Sequence, residues 1–595
     1  MTQATVQALL RQAQAAPDSI VLRDALAVAQ FQQQDYAAAL ANFQDVLRLS
    51  QRMRRDSEDG AAVEAGFTAW PAWAHSAWSG VASEEARVKS WEQWQALIWR
   101  NIGACHLCLI QPQQAEHAYA QAHALAPEDV ASTLYDLVQC MANCEWSQWQ
   151  ALSDQAVNQV LLAQPHEDLS ASMALFGAAP QAAHMRSLAA QVGKSIAHTL
   201  DAAHIQSSIA LRADASSSRL RIGYFSCDFR NHSVGQLTQS MFGLHDRSAV
   251  EVFVLSYGAD DGGAVRQTIA QGAEHFVELR GLSALDMVQR IRALQLDIVV
   301  DLSGHTAGAL PQVMHYRVAP IQCHWLGYLW SMGSVAYDYL IADVFSAPEQ
   351  FHAHYQEAVV QLPHSLQITP IQWIKAAQSK SREDLGLRDD AMVMAYFGIL
   401  SKIQPPMFDA WLRVLKAEPK VVLWIARTAH SSAEAFGRLR LRSMLAGVNP
   451  AQIMFSDPVP HAEHLARYAV VDVALDPFPV GSGVTALEAL WMGCPMVSMA
   501  AAGETLVSRM PGGVLQSAGL GDWVVDSLEA YEALLLQLAM DRSRCTAARA
   551  HLLSERESLP VFDTRARVRQ LESAYLRMME AALAARKPQS FAVSS

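Results

Sequence analysis

Along the first 200 positions, apolar residues recur at three- and four-residue spacing in stretches rich in Ala and Gln with few β-branched runs. That period predicts helix after helix. Around Ser216 and Ser218 the pattern changes. Short apolar runs, RLRIGYFSCDF, EVFVLSYG, LDIVVDLSG and YDYLIAD, read as strands separated by helical patterns at α/β spacing. A second series follows the polar stretch 378–384: AMVMAYFG, KVVLWIAR, AQIMFS, VDVALDPF and PMVSM. The pattern predicts a helical region over 1–200 and two doubly wound parallel α/β lobes over 218–375 and 385–560. An amphipathic helix within 561–588 should pack back on the core. In such sheets ligands lie at the carboxyl ends of the strands.

One helical window has a period of its own. In ALIWRNIGACHLCLIQPQQAEHAYAQAHALAP, the residues Trp99, Ile102, Gly103, Ala115, Tyr119, Ala122 and Pro127 occupy the W-L-G-A-F-A-P positions of a tetratricopeptide repeat. Small Gly103 and Ala115 let paired helices approach, Tyr119 fills the groove, and Pro127 stops the second helix. Ala39, Phe43 and Val46 sit in the matching positions of a weaker copy. Between the two, 51–89 is irregular and Trp-rich (Trp70, Trp73, Trp78) and reads as packing against the repeats.

The chain has 595 residues, 51% hydrophobic and 17% charged, too apolar for a disordered protein. A net charge of -13 argues against sequence-independent clamping of nucleic acid. The longest plausible apolar run, 391–400, is far short of the ~20 residues that span a bilayer. The start MTQATVQALLRQAQ lacks a basic segment followed by an apolar one, so neither a signal peptide nor a membrane span is expected, and the location expected is cytoplasmic. Cys105 with Cys108 and Cys140 with Cys144 could supply four thiolates to zinc. Their spacings are also those of buried helical faces, and neither pair has a Gly-rich knuckle, so no metal is expected.

The loops after the strands carry the candidate chemistry. VDVALD runs into PFPVGSGVTALEALWMG, where Gly481, Ser482 and Gly483 form a turn and Val484 and Thr485 open a helix. The first amides of a helix are a cradle for phosphate. No Lys follows in the P-loop pattern, which excludes that class. Glu488, one turn on, is placed to reach ribose hydroxyls. A Gly-rich turn by itself is equally a backbone that needs positive φ. Its company is informative: SKIQPP puts Lys402 after one strand, and HAEHLARY puts His461, His464 and Arg467 at i, i+3, i+6 after another. These cations beside a helix N-terminus suit a diphosphate. In the first series His232 follows one strand, and Asp301 and His305 follow another.

With these residues the chain resembles the O-GlcNAc transferase and SPINDLY family, inverting glycosyltransferases with helical repeats before a GT-B core of two Rossmann-like lobes. The resemblance runs from 90 to 588 on RIGYFSCDFRNHSVGQL, DLSGHTAGAL, RVAPIQCHWLGY, YDYLIAD, SKIQPP, VVLWIAR, DPVPHAEHLARY, ALDPFPVGSGVTALEALWMGCPMV, GETLVSRM and LESAYLRMMEAAL. NCEWSQWQ is similar to the element that joins repeats to core, with Glu145 in place of Asp. The resemblance implies that Lys402 serves the donor diphosphate and the leaving-group charge. It places His464 and Arg467 in the nucleotide cleft, His461 against the base, the amides of Gly483, Val484 and Thr485 on the pyrophosphate, and Glu488 on the ribose. His232 matches a histidine assigned as general base, a role also given to the donor phosphate or a water relay. His305, Asp301 and Gly333 fall on the sugar or acceptor side.

The resemblance further implies a UDP-sugar donor, UDP-GlcNAc first, and a protein acceptor glycosylated on Ser/Thr and held by the repeats. It implies no cofactor and no metal. In a bacterium, flagellin or another surface or motility protein is an acceptor by analogy. Several positions depart from the family. The loop after WLGY reads Leu329, Trp330, Ser331, Met332, Gly333 instead of Pro-Gly-Thr-Ser/Thr-Gly. Gly483 replaces a His, Ile399 a Gln and Ser401 a Tyr. These departures leave open another donor such as GDP-fucose, a glycan or small-molecule acceptor, or a scaffold that binds nucleotide without turnover.

Overall fold

Met392–Tyr396 is buried along its whole length, as a central parallel strand covered on both faces must be. It is β8 of the second of two parallel sheets. In chain order the first sheet contains β1 (Leu220–Ser226), β2 (Val250–Ser256), β3 (His275–Glu278), β4 (Ile298–Asp301), β5 (Ile321–His324), β6 (Tyr339–Asp343) and β7 (Ala358–Leu362). The second contains β8, β9 (Val421–Ala426), β10 (Ile453–Ser456), β11 (Val473–Leu475) and β12 (Met496–Val497). A last strand, β13 (Phe591–Ala592), joins the first sheet beside β7. These strands belong to a computed structural model that describes residues 3–32, 35–56, 84–109, 111–127, 129–165, 169, 172, 174–178, 182–216, 218–373, 375–427 and 432–594.

The strand orders are β13-β7-β6-β5-β4-β1-β2-β3 and β10-β9-β8-β11-β12. Each sheet therefore grows outward from its first strand, then returns to that strand's other side. The reversal lies between β1 and β4 in the first sheet and between β8 and β11 in the second. Neighbouring crossovers at such a point leave in opposite directions and open a crevice at the carboxyl edge. The five strands anticipated for the second sheet are all present. In the first sheet β3, β5, β7 and β13 add to the four anticipated: His275, Gln322, His324 and Gln361 interrupt the apolar runs of β3, β5 and β7, and β13 is only two residues long.

Two compact units emerge, Met1–Asp136 with Leu279–Met287 and Leu137–Glu278 with Val288–Ser595. The helices expected as one block over 1–200 are thus divided between them. In the first unit Ala39, Phe43 and Val46 share a buried cluster with Trp94, Ile98, Ile102 and Cys105. A Cβ on Gly103 would lie 2.5 Å from the Tyr119 ring, which itself stacks on Tyr135. Gly103 is therefore required by the close approach of helices Glu84–Cys108 and Pro112–Leu125. Trp70, Trp73 and Trp78 lie outside the described residues.

In the second unit, helices Trp149–Leu162, Ala174–Ala178 and Ala182–His198 precede the sheets. The segment around Glu145 docks on the second lobe. Glu145 pairs with Arg438 at 2.9 Å, Asn143 Oδ1 accepts from Ser432 Oγ at 2.7 Å, and Trp146 packs on Phe408. After the second lobe, helix Thr564–Leu583 returns to the first. Val568, Leu571, Tyr575, Met578 and Met579 are buried on one face of it, roughly 1.5–3 kcal/mol for each large apolar side chain. Glu572 accepts from His245 Nδ1 at 2.9 Å and Asp246 N at 2.8 Å, and Tyr224 Oη donates to Tyr575 Oη. Among the described residues, no helix is long and apolar enough to cross a membrane.

Candidate active site

The two reversal points bring the sequence candidates to two strand edges. Lys402 ends the short 3-10 turn Leu400–Lys402 just after β8. The Gly481 turn follows β11, its neighbour in the sheet. Lys402 Nζ donates to Gly481 O at 2.9 Å, so the cation is fastened to the turn itself. Burial presses the Lys402 pKa down, and the Asp476 carboxylate draws it back up.

Asp476, the residue after β11, escaped the sequence reading. It is buried, accepts from Ser482 N at 2.7 Å and from Ser498 Oγ at 2.5 Å, and is pushed up to about 6 by its burial. Its signal was an acid at a strand end directly before a Gly-rich turn. The carboxylate shapes the turn that delivers Gly483 to the start of helix Val484–Trp491. Ala486 N and Leu487 N close on Gly483 O, and the amides before them have no intrahelical acceptor. A Cβ on Gly481 would lie 2.3 Å from Pro511, which accounts for that glycine. Gln367, also missed, reaches the same turn. Its Nε2 lies 3.6 Å from where a Gly483 Cβ would stand, and among the described residues its buried Oε1 has no partner.

Helix His461–Arg467 follows β10, on the other side of β8. His461 Nε2 donates to Glu488 Oε1 at 2.6 Å, and this bond raises the His461 pKa. His464 Nε2 is 4.0 Å from Glu488 Oε2, and burial, the largest influence, lowers its pKa. Glu488 thus fastens His461 and lies beside His464, and a ribose would have to share it with them. Arg467 donates to Asp457 O at 2.6 Å and lies over Trp424, with 5.7 Å to the ring centroid.

At the first edge His232 caps helix Ser233–Thr238. Its Nδ1 accepts from Val234 N at 3.3 Å. Burial lowers its pKa although Asp228 Oδ2 is 3.6 Å away. A neutral ring whose Nδ1 accepts carries its proton on Nε2, so the outward nitrogen is a hydrogen-bond donor. Asp301 is used up by the fold. Its Oδ1 accepts from Ser303 N and Gly304 N, and its Oδ2 accepts from Tyr337 Oη at 2.8 Å. His305 Nε2 donates to Met332 O at 3.4 Å, and burial takes this imidazole down to about 4. Gly333 has φ +62°, and a Cβ there would stand 1.9 Å from Ala189 O on helix Ala182–His198. It is thus pinned by a close approach rather than opened to a ligand.

No thiolate cluster gathers among the described side chains. Cys105 is packed in the repeat cluster, Cys140 Sγ donates to Glu145 O, and the side chain of Cys108 lies outside the described ones. Among the described residues, the group with metal-ligand spacing is Glu251, Glu274 and His275. It sits at the amino ends of β2 and β3, opposite the candidate site, and Arg219 and Arg221 already pair with its carboxylates.

The sequence profile of glycosyl transferase family 41 matches residues 181–373 and 372–571. A probable UDP-N-acetylglucosamine–peptide N-acetylglucosaminyltransferase SEC of Arabidopsis thaliana is 34% identical over 391 residues, covering 64% of this chain and 39% of that protein. The UDP-N-acetylglucosamine–peptide N-acetylglucosaminyltransferase of Caenorhabditis elegans is 26% identical over 462 residues, covering 59% and 40%. The chain spans about two fifths of the length of the curated relatives it matches. Its fold is that of a Thermobaculum terrenum O-GlcNAc transferase mutant, with a TM-score of 0.73 at 23% identity over 98% of this chain and 100% of that one.

Proposed function

The chain belongs to glycosyl transferase family 41, and from that premise we propose that it moves a sugar from a nucleoside diphosphate to a Ser/Thr hydroxyl of a protein, with inversion. UDP-GlcNAc is the first donor to consider, since the relatives' names specify it. The carrying observation is Lys402 bonded to the very turn that opens helix Val484–Trp491. A lysine and unpaired helix amides meeting at a sheet's reversal point form a site for a departing diphosphate. Preorganised donors aimed at developing charge typically supply more of the rate enhancement in such catalysis than any other effect.

In this reading the helix amides and Lys402 take the diphosphate, and His461, His464 and Arg467 surround the nucleoside. The sugar projects from the second lobe toward the first, where His232 offers its Nε2–H. Acting as a base at Nε2, His232 would have to shift its proton to Nδ1 and give up the bond to Val234 N–H. Donation to a phosphate oxygen fits the observed cap better, with the acceptor's proton passing to phosphate or water. The helical repeats hold the acceptor, a surface or motility protein such as flagellin being the class by analogy, and the protein works in the cytoplasm without a metal. A panel of UDP- and GDP-sugars, with and without EDTA, scored by melting temperature and donor hydrolysis, tests this. One donor should raise the melting temperature and be consumed equally with chelator. No donor binding, or strict dependence on a metal, would overturn the reading.

A further inference from the structure

The carbonyl of Gly481 and the N–H of Ser482 belong to one trans peptide, and two side chains of opposite charge take its two ends. Lys402 Nζ donates to Gly481 O at 2.9 Å, and Asp476 Oδ1 accepts from Ser482 N at 2.7 Å. In a trans peptide these two groups point opposite ways. The cation therefore stands at the negative end of the peptide dipole and the anion at the positive end, an ion pair with one peptide between its members. Each charge polarises that peptide in the sense that strengthens the other's bond. The anion is anchored in the sheet. Asp476 directly follows β11, and its Oδ2 accepts at 2.5 Å from Ser498 Oγ, directly after the paired strand β12. Lys402 arrives from the end of β8, which pairs with β11 on its other side.

We infer that Asp476 is a positioning residue for Lys402: joined to it across the Gly481–Ser482 peptide, the carboxylate keeps the ammonium charged and seated on the turn before any donor binds. The inference rests on the transferase reading. An ammonium withdrawn from water sheds its proton unless an opposite charge is near. Among the described residues Asp476 is the charge that acts on Lys402. The other titratable groups facing Asp476 are phenols, Tyr396 of β8 and Tyr531 of helix Leu528–Met540, and burial drives both pKa values up, so they stay neutral. A direct salt bridge would occupy the ammonium. With the carboxylate one peptide away, Gly481 O takes one N–H and the others remain for phosphate oxygens.

Asp476→Asn removes the charge and keeps the bonds, since a carboxamide can accept from Ser482 N–H and donate to Ser498 Oγ. The experiment uses full-length wild type and this variant, with whichever sugar nucleotide wild type consumes from the panel, and bare UDP or GDP to match. The alkaline limb of kcat/KM should move down by about one pH unit or more in the variant. Calorimetry at about pH 8, in buffers of different ionisation enthalpy, should show the variant taking up more protons than wild type on binding the nucleotide, up to about one per site. A variant that is slower with an unmoved pH profile, or one with no added proton uptake, would overturn the inference and leave Asp476 as a support for the turn. Should Asp476→Asn not fold, wild type is compared with Lys402→Ala. The two should take up equal numbers of protons on binding, because Lys402 already carries its own, and an excess of about one in wild type would overturn the inference. A wild type that binds neither UDP nor GDP would sink the transferase reading, and this inference with it.

Discussion

At the edge of the first sheet Asp301 gives both oxygens to Ser303, Gly304 and Tyr337, and His305 gives its proton to Met332 O. At the edge of the second, Lys402 brings a cation to the turn before helix Val484–Trp491, whose first amides have no intrahelical acceptor. Both sheets reverse at corresponding points, so topology offers each a crevice, and the difference lies in how the polar groups are spent. A strand-end loop whose donors and acceptors satisfy one another makes a wall. One that leaves donors pointing outward makes a receptor. A polar residue at a strand end therefore identifies a place, while its partners decide the use.

The largest test of that contrast is Lys402→Ala. Loss of a charge aimed at the leaving group should lower turnover by about 10²–10³-fold, measured as steady-state donor consumption, with a cooperative melt retained. A loss under about threefold would remove the second lobe's claim to the chemistry. Asp301→Asn probes the wall and should act on folding. It replaces the oxygen that accepts from Tyr337 Oη with an amide nitrogen that cannot accept, and should cost about 1–3 kcal/mol in urea denaturation, with turnover nearly unchanged. If turnover collapsed while stability held, the first edge would be chemical after all.

The smallest effect concerns His461. Its pKa in the fold is raised above the ordinary 6.5 by the bond to Glu488. A raised pKa means that the folded state binds the proton more tightly than the unfolded one. The stabilisation is complete below the ordinary value and is lost as pH rises through the raised one. The melting-temperature gap between wild type and His461→Ala should accordingly narrow as pH is taken from about 5.5 to 8.5. A gap that widens over that range would show that the imidazole is held neutral.

The second lobe was the more legible half of the sequence. Its strands are apolar runs, and Lys402, Gly483 and His461 each lie within eight residues of the end of one. The first lobe concealed β5 because a buried strand there carries Gln322 and His324; the polarity of Gln322 is answered by other elements, its Nε2 donating to Met314 O and Ala336 O. Asp301 and His305 were legible as strand-end residues, but nothing local showed that Tyr337 and Met332 would occupy them. Gln367 was illegible for a related reason. Its significance comes from reaching the Gly483 turn, which lies far away along the chain.

Helix Thr564–Leu583 and β13 complete the first lobe after the second has been laid down. During synthesis, then, the first sheet waits with the β7 edge bare and the faces around Tyr224 and His245 uncovered while some 200 further residues emerge. At the usual pace of translation that is about 10–40 seconds. The lobe made first is the lobe finished last. A ribosome that stalls within the second lobe would leave an unfinished sheet edge open to pairing with other chains.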